Sequence, residues 1–95
     1  MENLNTISLA DRVKSLIGKD SHYALAKALG VTREGARCWY TRQTVMDDEV
    51  GIRAAKLLNI DPESVILWLQ VERAEKKGNV TLSQHWRHIA EQIVA

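Results

Sequence analysis

The sequence predicts an all-α protein, a compact bundle of five to six short helices, and three observations predict it. Apolar residues recur three and four positions apart along most of the chain, whereas strand-like alternation is scarce. Residues that open helices and glycines that end them punctuate the chain at helix-length intervals. The one proline, Pro62, directly follows Asp61, a place that the first turn of a helix accepts. With 95 residues, 45% apolar and 26% charged, the chain is expected to form a single domain over 1–95, with a core at 8–75.

The first helix is expected from about Ser8 to Ile17, with Leu9, Val13, Leu16 and Ile17 on one face and Gly18 as its stop. The second opens at Asp20 or Ser21, either of which can cap, and ends at Gly30. Thr32 caps the third, from Arg33 to about Thr41. Asp47 caps the fourth, with Asp48 and Glu49 at its positive end and Val50, Ala54, Leu57 and Leu58 facing inward. The fifth starts at Asp61-Pro62-Glu63 and buries Val65, Ile66, Trp68, Leu69 and Val71. Lys76–Asn79 ends it and is the best candidate for a joint. The sixth runs from near Thr81 or Ser83 to about 94. Its stripe of Leu82, Trp86, Ile89 and Ile93, spaced four, three and four, packs on this domain or on a second copy.

The window HYALAKALGVTREGARCWY, His22 to Tyr40, carries the function. Ala26 is small enough for two helices to cross closely, Gly30 permits a sharp reversal, and Val31, Ala36 and Trp39 face inward. Thr32, Arg33, Glu34, Arg37, Cys38, Tyr40 and Thr41 then point mostly outward. Gly35, inside the third helix, costs about 1 kcal/mol relative to alanine.

This window resembles the helix-turn-helix of the Cro and lambda-repressor-like (XRE-type) superfamily, with Ala26, Gly30 and Trp39 at the structural positions. MDDEVGIRAAKLLNIDPE resembles the helix that follows in that group. WLQVERAEKKGNVTLSQHWRHIAEQI resembles the extra helices of small phage-related regulators. The likeness spans residues 8–75 and, less specifically, the tail. Ala36 stands where that family more often has Val or Ile.

The resemblance implies a sequence-specific transcriptional regulator of double-stranded DNA, a repressor of phage or prophage type, with its third helix in the major groove. The residues expected at base edges are Arg33, Glu34, Arg37, Cys38 and Thr41. Arg33 and Arg37 share a face and suit guanine, the bland alternative being a solvated pair bridging to Glu34. Glu34 accepts from cytosine or repels phosphate. The residues expected along the sugar-phosphate backbone are Ser21, Lys27, Thr32, Tyr40, Arg42, Gln43 and Thr44, with Arg42 foremost and Lys19 a weaker candidate. A homodimer on a two-fold site is the expected assembly. The alternative is a protein-interaction module on the same fold, an antirepressor or an inhibitor of a host protein.

Charge fits without deciding. The chain is only +1, but residues 1–45 hold seven basic against four acidic side chains and residues 46–95 six against eight. Cys38 is the sole cysteine, which favours a cytoplasmic setting, nucleoid-associated when bound to DNA. No apolar run approaches the roughly 18 residues of a membrane span, and neither a signal peptide nor membrane attachment is expected. His22, His85 and His88 lack partners at metal-ligand spacing, although His85 and His88 lie three apart. No nucleophile–base pair, paired carboxylates or phosphate-binding glycine loop is legible. No catalytic role, cofactor or metal is therefore expected. Trp39, Trp68 and Trp86 read as core or interface residues rather than base-stacking platforms.

Overall fold

The computed structural model describes residues 4–93. The expected helix end at about 94 lies outside them, as does Glu2 of the charge count. Six helices follow in order: α1 (Thr6–Ile17), α2 (His22–Leu29), α3 (Arg33–Thr41), α4 (Asp48–Leu58), α5 (Pro62–Lys76) and α6 (Val80–Ile93). Among the described residues there is no strand, and no helix is long and apolar enough to cross a membrane. The radius of gyration of 13.0 Å is that of a compactly folded chain of this size.

Caps set the boundaries. Helix α1 begins two residues before the expected Ser8 because Asn5 and Ser8 form a reciprocal box. Asn5 Oδ1 accepts from Ser8 N at 2.9 Å, and Ser8 Oγ accepts from Asn5 N at 3.0 Å. Ser21 Oγ caps α2 through Ala24 N at 3.1 Å, and Thr32 Oγ1 caps α3 through Gly35 N at 3.0 Å. Asp61 caps α5 ahead of Pro62 as its sequence requires. Asp47 stands at the start of α4, but its side chain makes no capping hydrogen bond; Asp48 and Glu49 place negative charge in the first turn. Helix α6 opens at Val80 rather than at Thr81 or Ser83. Asn79 Oδ1 receives Leu82 N at 3.1 Å, which leaves Ser83 inside the helix and buried.

The main core gathers one face of each of the first five helices. Leu9, Ala10 and Val13 of α1 meet Leu25, Ala26 and Leu29 of α2, Ala36 and Trp39 of α3, and Val65 and Leu69 of α5. Helix α4 contributes Val50, Ala54 and Ala55, with Leu58 packed at the margin of the core and the expected Leu57 turned outward. Leu57 is 41% exposed and Leu58 half-buried. The cause is close approach to α5. A Cβ on Gly51 would stand 2.7 Å from Leu69 Cδ1 and 3.1 Å from Val65 Cγ1, so the small Gly51-Ala54-Ala55 side of α4 turns inward. Ile66 of α5, also expected inside, is half-buried.

Helix α6 packs on α5 in a second, smaller cluster: Trp68, Val71 and Ala90, flanked by Leu4, Leu67 and Trp86. Its buried residues are the small Ser83 and Ala90. Of the expected stripe, Trp86 is half-buried, whereas Leu82, Ile89 and Ile93 are 42, 40 and 52% exposed.

A polar latch joins the start of α1, the segment after α3, and α5. Thr6 Oγ1 accepts from Met46 N at 2.9 Å and donates to Glu72 Oε1 at 2.8 Å, and Thr6 N also donates to that carboxylate at 2.9 Å. Arg73 Nη2 donates to Met46 O at 2.6 Å, while its Nη1 and Gln70 Nε2 hold Asp48 at 2.8 and 3.1 Å. Both backbone groups of Met46 are thereby satisfied inside the fold, and the path of the chain leaving α3 is fixed.

Candidate functional site

Helices α2 and α3 are joined by Gly30, Val31 and Thr32. Gly30 lies at φ +70°, a left-handed conformation that glycine adopts without a steric penalty. A Cβ there would also meet Arg53 Nη1 at 3.1 Å. That guanidinium donates to Leu29 O at 3.1 Å and so satisfies a terminal carbonyl of α2. Ala26, 4% exposed, lets α3 approach α2, and Ala36 and Trp39, at 0 and 5%, pin α3 from behind. Val31 is half-buried.

The opposite face of α3 is open. Thr32, Arg33, Glu34 and Thr41 are exposed, and Arg37 and Cys38 lie partly so. Arg37 does not stand alone. Its Nε and Nη2 donate to Glu34 Oε1 and Oε2 at 2.8 and 2.6 Å, a bidentate pair one helical turn apart. Glu34 Oε2 also receives Cys38 Sγ at 3.7 Å. The hydrogen bonds from Arg37 hold the Glu34 carboxyl far below its ordinary value, at about 2, and the same pairing raises Arg37. A lowered carboxylate pKa means that the pair persists at neutral and mildly acidic pH and opens only as pH falls toward 2.

The other expected residues divide into two groups. Ser21 and Thr32 are exposed helix caps with their hydroxyls at backbone amides. Lys27 is exposed in the last turn of α2. Arg42, Gln43 and Thr44 are exposed on the chain leaving α3, where Gln43 takes φ 56° and Thr44 N donates to Cys38 O at 3.4 Å. Thr41 Oγ1 turns back to Arg37 O at 3.1 Å.

Tyr40 differs from its expected outward role. Its hydroxyl donates to Asp11 Oδ1 at 2.8 Å, Lys14 Nζ sits 4.0 Å from its ring centroid, and His22 packs 5.4 Å away. Burial, with the Asp11 bond, pushes the phenol well above its ordinary value. Tyr40 therefore fastens α3 to α1, with its hydroxyl already engaged.

Sequence reasoning missed the latch around Met46 and the Arg53 cap on α2. Their partners lie 22 to 66 positions apart, beyond any local spacing rule. Among the described residues no three His, Cys, Asp or Glu side chains gather as a metal site.

No family model matches the chain, and neither a curated protein nor a solved structure matches it.

Proposed function

We propose that this protein is a sequence-specific regulator that binds double-stranded DNA, a repressor of phage or prophage type, with α2 and α3 acting as a helix-turn-helix and α3 lying in the major groove. The observation that carries the reading is the exposed face of a helix braced from behind. Arg33 and Arg37, followed by Arg42 after the helix, present three cations against one carboxylate, Glu34, while Ala36 and Trp39 anchor the other side. A major groove about 12 Å wide admits such a helix, and arginine is its commonest guanine reader. Thr32 and Ser21, at two helix N-termini, suit phosphate oxygens. The resemblance of His22–Tyr40 to the Cro and lambda-repressor-like superfamily points the same way.

The test is selection of duplexes from a random library, followed by titration of the selected site at two salt concentrations. The wild type is expected to enrich a defined site and to bind it less tightly as salt rises. Arg37→Ala is expected to weaken specific binding by about 1–3 kcal/mol and to relax the preference at one position. Equal affinity of the variant for the selected site contradicts the assignment of Arg37.

The reading includes a homodimer through α6. Leu82, Ile89 and Ile93 form an apolar line on a helix whose inward residues are small, and a second copy is the occupant that a two-fold site requires. In such a dimer the two α3 helices are expected to stand about 34 Å apart, one turn of DNA. Ile89→Glu is expected to convert a dimer to a monomer in sedimentation equilibrium while leaving the helical circular-dichroism signal intact. A wild type that stays monomeric at high protein concentration contradicts the assembly.

A second reading, an interaction module for another protein, is favoured by the net charge of only +1. Its signature is a stable protein partner together with no retardation of any duplex at low salt.

A further inference from the structure

We propose that Glu34 is a positioning residue that aims Arg37 at a guanine, so that the two side chains read one base pair as a unit. This inference rests on the DNA-binding reading above and deepens it.

A guanidinium offers two bidentate edges. One is formed by Nε and Nη2, the other by Nη1 and the second hydrogen of Nη2. Glu34 takes the first edge, with both bonds at or below 2.8 Å. The second edge carries no partner among the described residues and ends a side chain that is 42% exposed. That edge is the one that can meet guanine O6 and N7 in a bidentate contact.

Glu34 is itself steadied. It occupies the second position of α3, behind the Thr32 cap, and receives the Cys38 thiol one turn on. Arg33, the other candidate reader, lies on the same face four residues before Arg37.

An arginine held by a carboxylate loses less rotamer freedom on reaching the base than a solvated one. The same carboxylate repels DNA phosphates and lowers attraction to non-cognate sequence. Glu34 thus trades general affinity for discrimination. A solvated surface pair does neither, and the difference is measurable.

The experiment compares the wild type with Glu34→Ala, Glu34→Gln and Arg37→Ala on the duplex selected by the wild type and on duplexes substituted at each guanine. Glu34→Ala is expected to reduce discrimination at the guanine that Arg37→Ala identifies by roughly tenfold, while affinity for unrelated duplex stays level or rises. Glu34→Gln, which still accepts one of the two bonds, is expected to fall between. Without DNA, the Arg37 Nε–H resonance of the wild type should be distinct and slow to exchange with water, and Glu34→Ala should merge it with the solvated arginines.

Unchanged discrimination in Glu34→Ala, with affinity raised equally on every duplex, overturns the positioning role and leaves the DNA-binding reading standing. An Arg37 resonance indifferent to Glu34 overturns the geometry itself. Failure of the wild type to select any duplex sinks the DNA-binding reading and this inference with it.

Discussion

Trp39→Ala is expected to lower folding stability by about 3–5 kcal/mol, a large share of the roughly 5–15 kcal/mol available to a small domain. The indole is 5% exposed and belongs to the main core together with Ala36, Leu25 and Leu29. Its removal leaves a void behind α3 that short helices cannot close. Helix α3 has few other anchors: Ala36 contributes one methyl group, and Tyr40 holds α1 through Asp11. Urea unfolding checks this, with the midpoint falling and the slope unchanged. Trp39→Phe keeps most of the volume and should cost clearly less. A loss under about 1 kcal/mol for the alanine variant is too small for a core indole and means that α3 is held by something else.

Met46→Ala should cost about 2–5 kcal/mol. The side chain is fully buried in the main core, although Met46 lies in no helix. Both of its backbone groups are bonded, to Thr6 Oγ1 and to Arg73. The variant therefore keeps its backbone path while losing packing. In a domain of this size each kcal/mol lowers the melting temperature by about 4–8 °C, so a fall of about 10 °C or more is expected. Met46→Leu, nearly equal in volume, should lose less than about 1.5 kcal/mol. Equal melting temperatures for the two variants contradict the assigned burial.

Helix content was legible in the sequence because periodicity and caps are local. Ser21, Thr32, Asp61-Pro62 and Gly30 mark boundaries through bonds that span two to four residues. The buried pair Ala36 and Trp39 followed from the same spacing. Met46 did not, because a buried residue between helices carries no period, and the groups that hold it come from α1 and α5. The inward faces of α4 and α6 were legible only in part: Val50 and Ala54 are buried and Trp86 is half-buried, whereas Leu57, Leu82, Ile89 and Ile93 are exposed. One reason covers both helices. Periodicity finds the apolar stripe, but the facing surface decides which side can approach. Opposite Leu69 of α5 stands Gly51, and against Trp68 and Val71 lies Ala90 of α6. Bulky partners select small neighbours, and Leu57, Leu82, Ile89 and Ile93 turn outward.

The candidate site was readable as a set of exposed side chains on α3, but not as a geometry. The spacing of Glu34 and Arg37 allows a bond; the folded helix decides which edge of the guanidinium it takes. Tyr40 belongs to the outward set by its place on the helix, yet Asp11 and Lys14, from a different helix, claim it.

The most direct test of the central claim is a titration of isotope-labelled protein with the selected duplex, followed through backbone amide resonances at moderate salt. A helix seated in the major groove predicts that the largest shifts run from Thr32 to Thr44, with a second group at the start of α2 near Ser21. Shifts confined to α5 and α6, with α3 silent, contradict it.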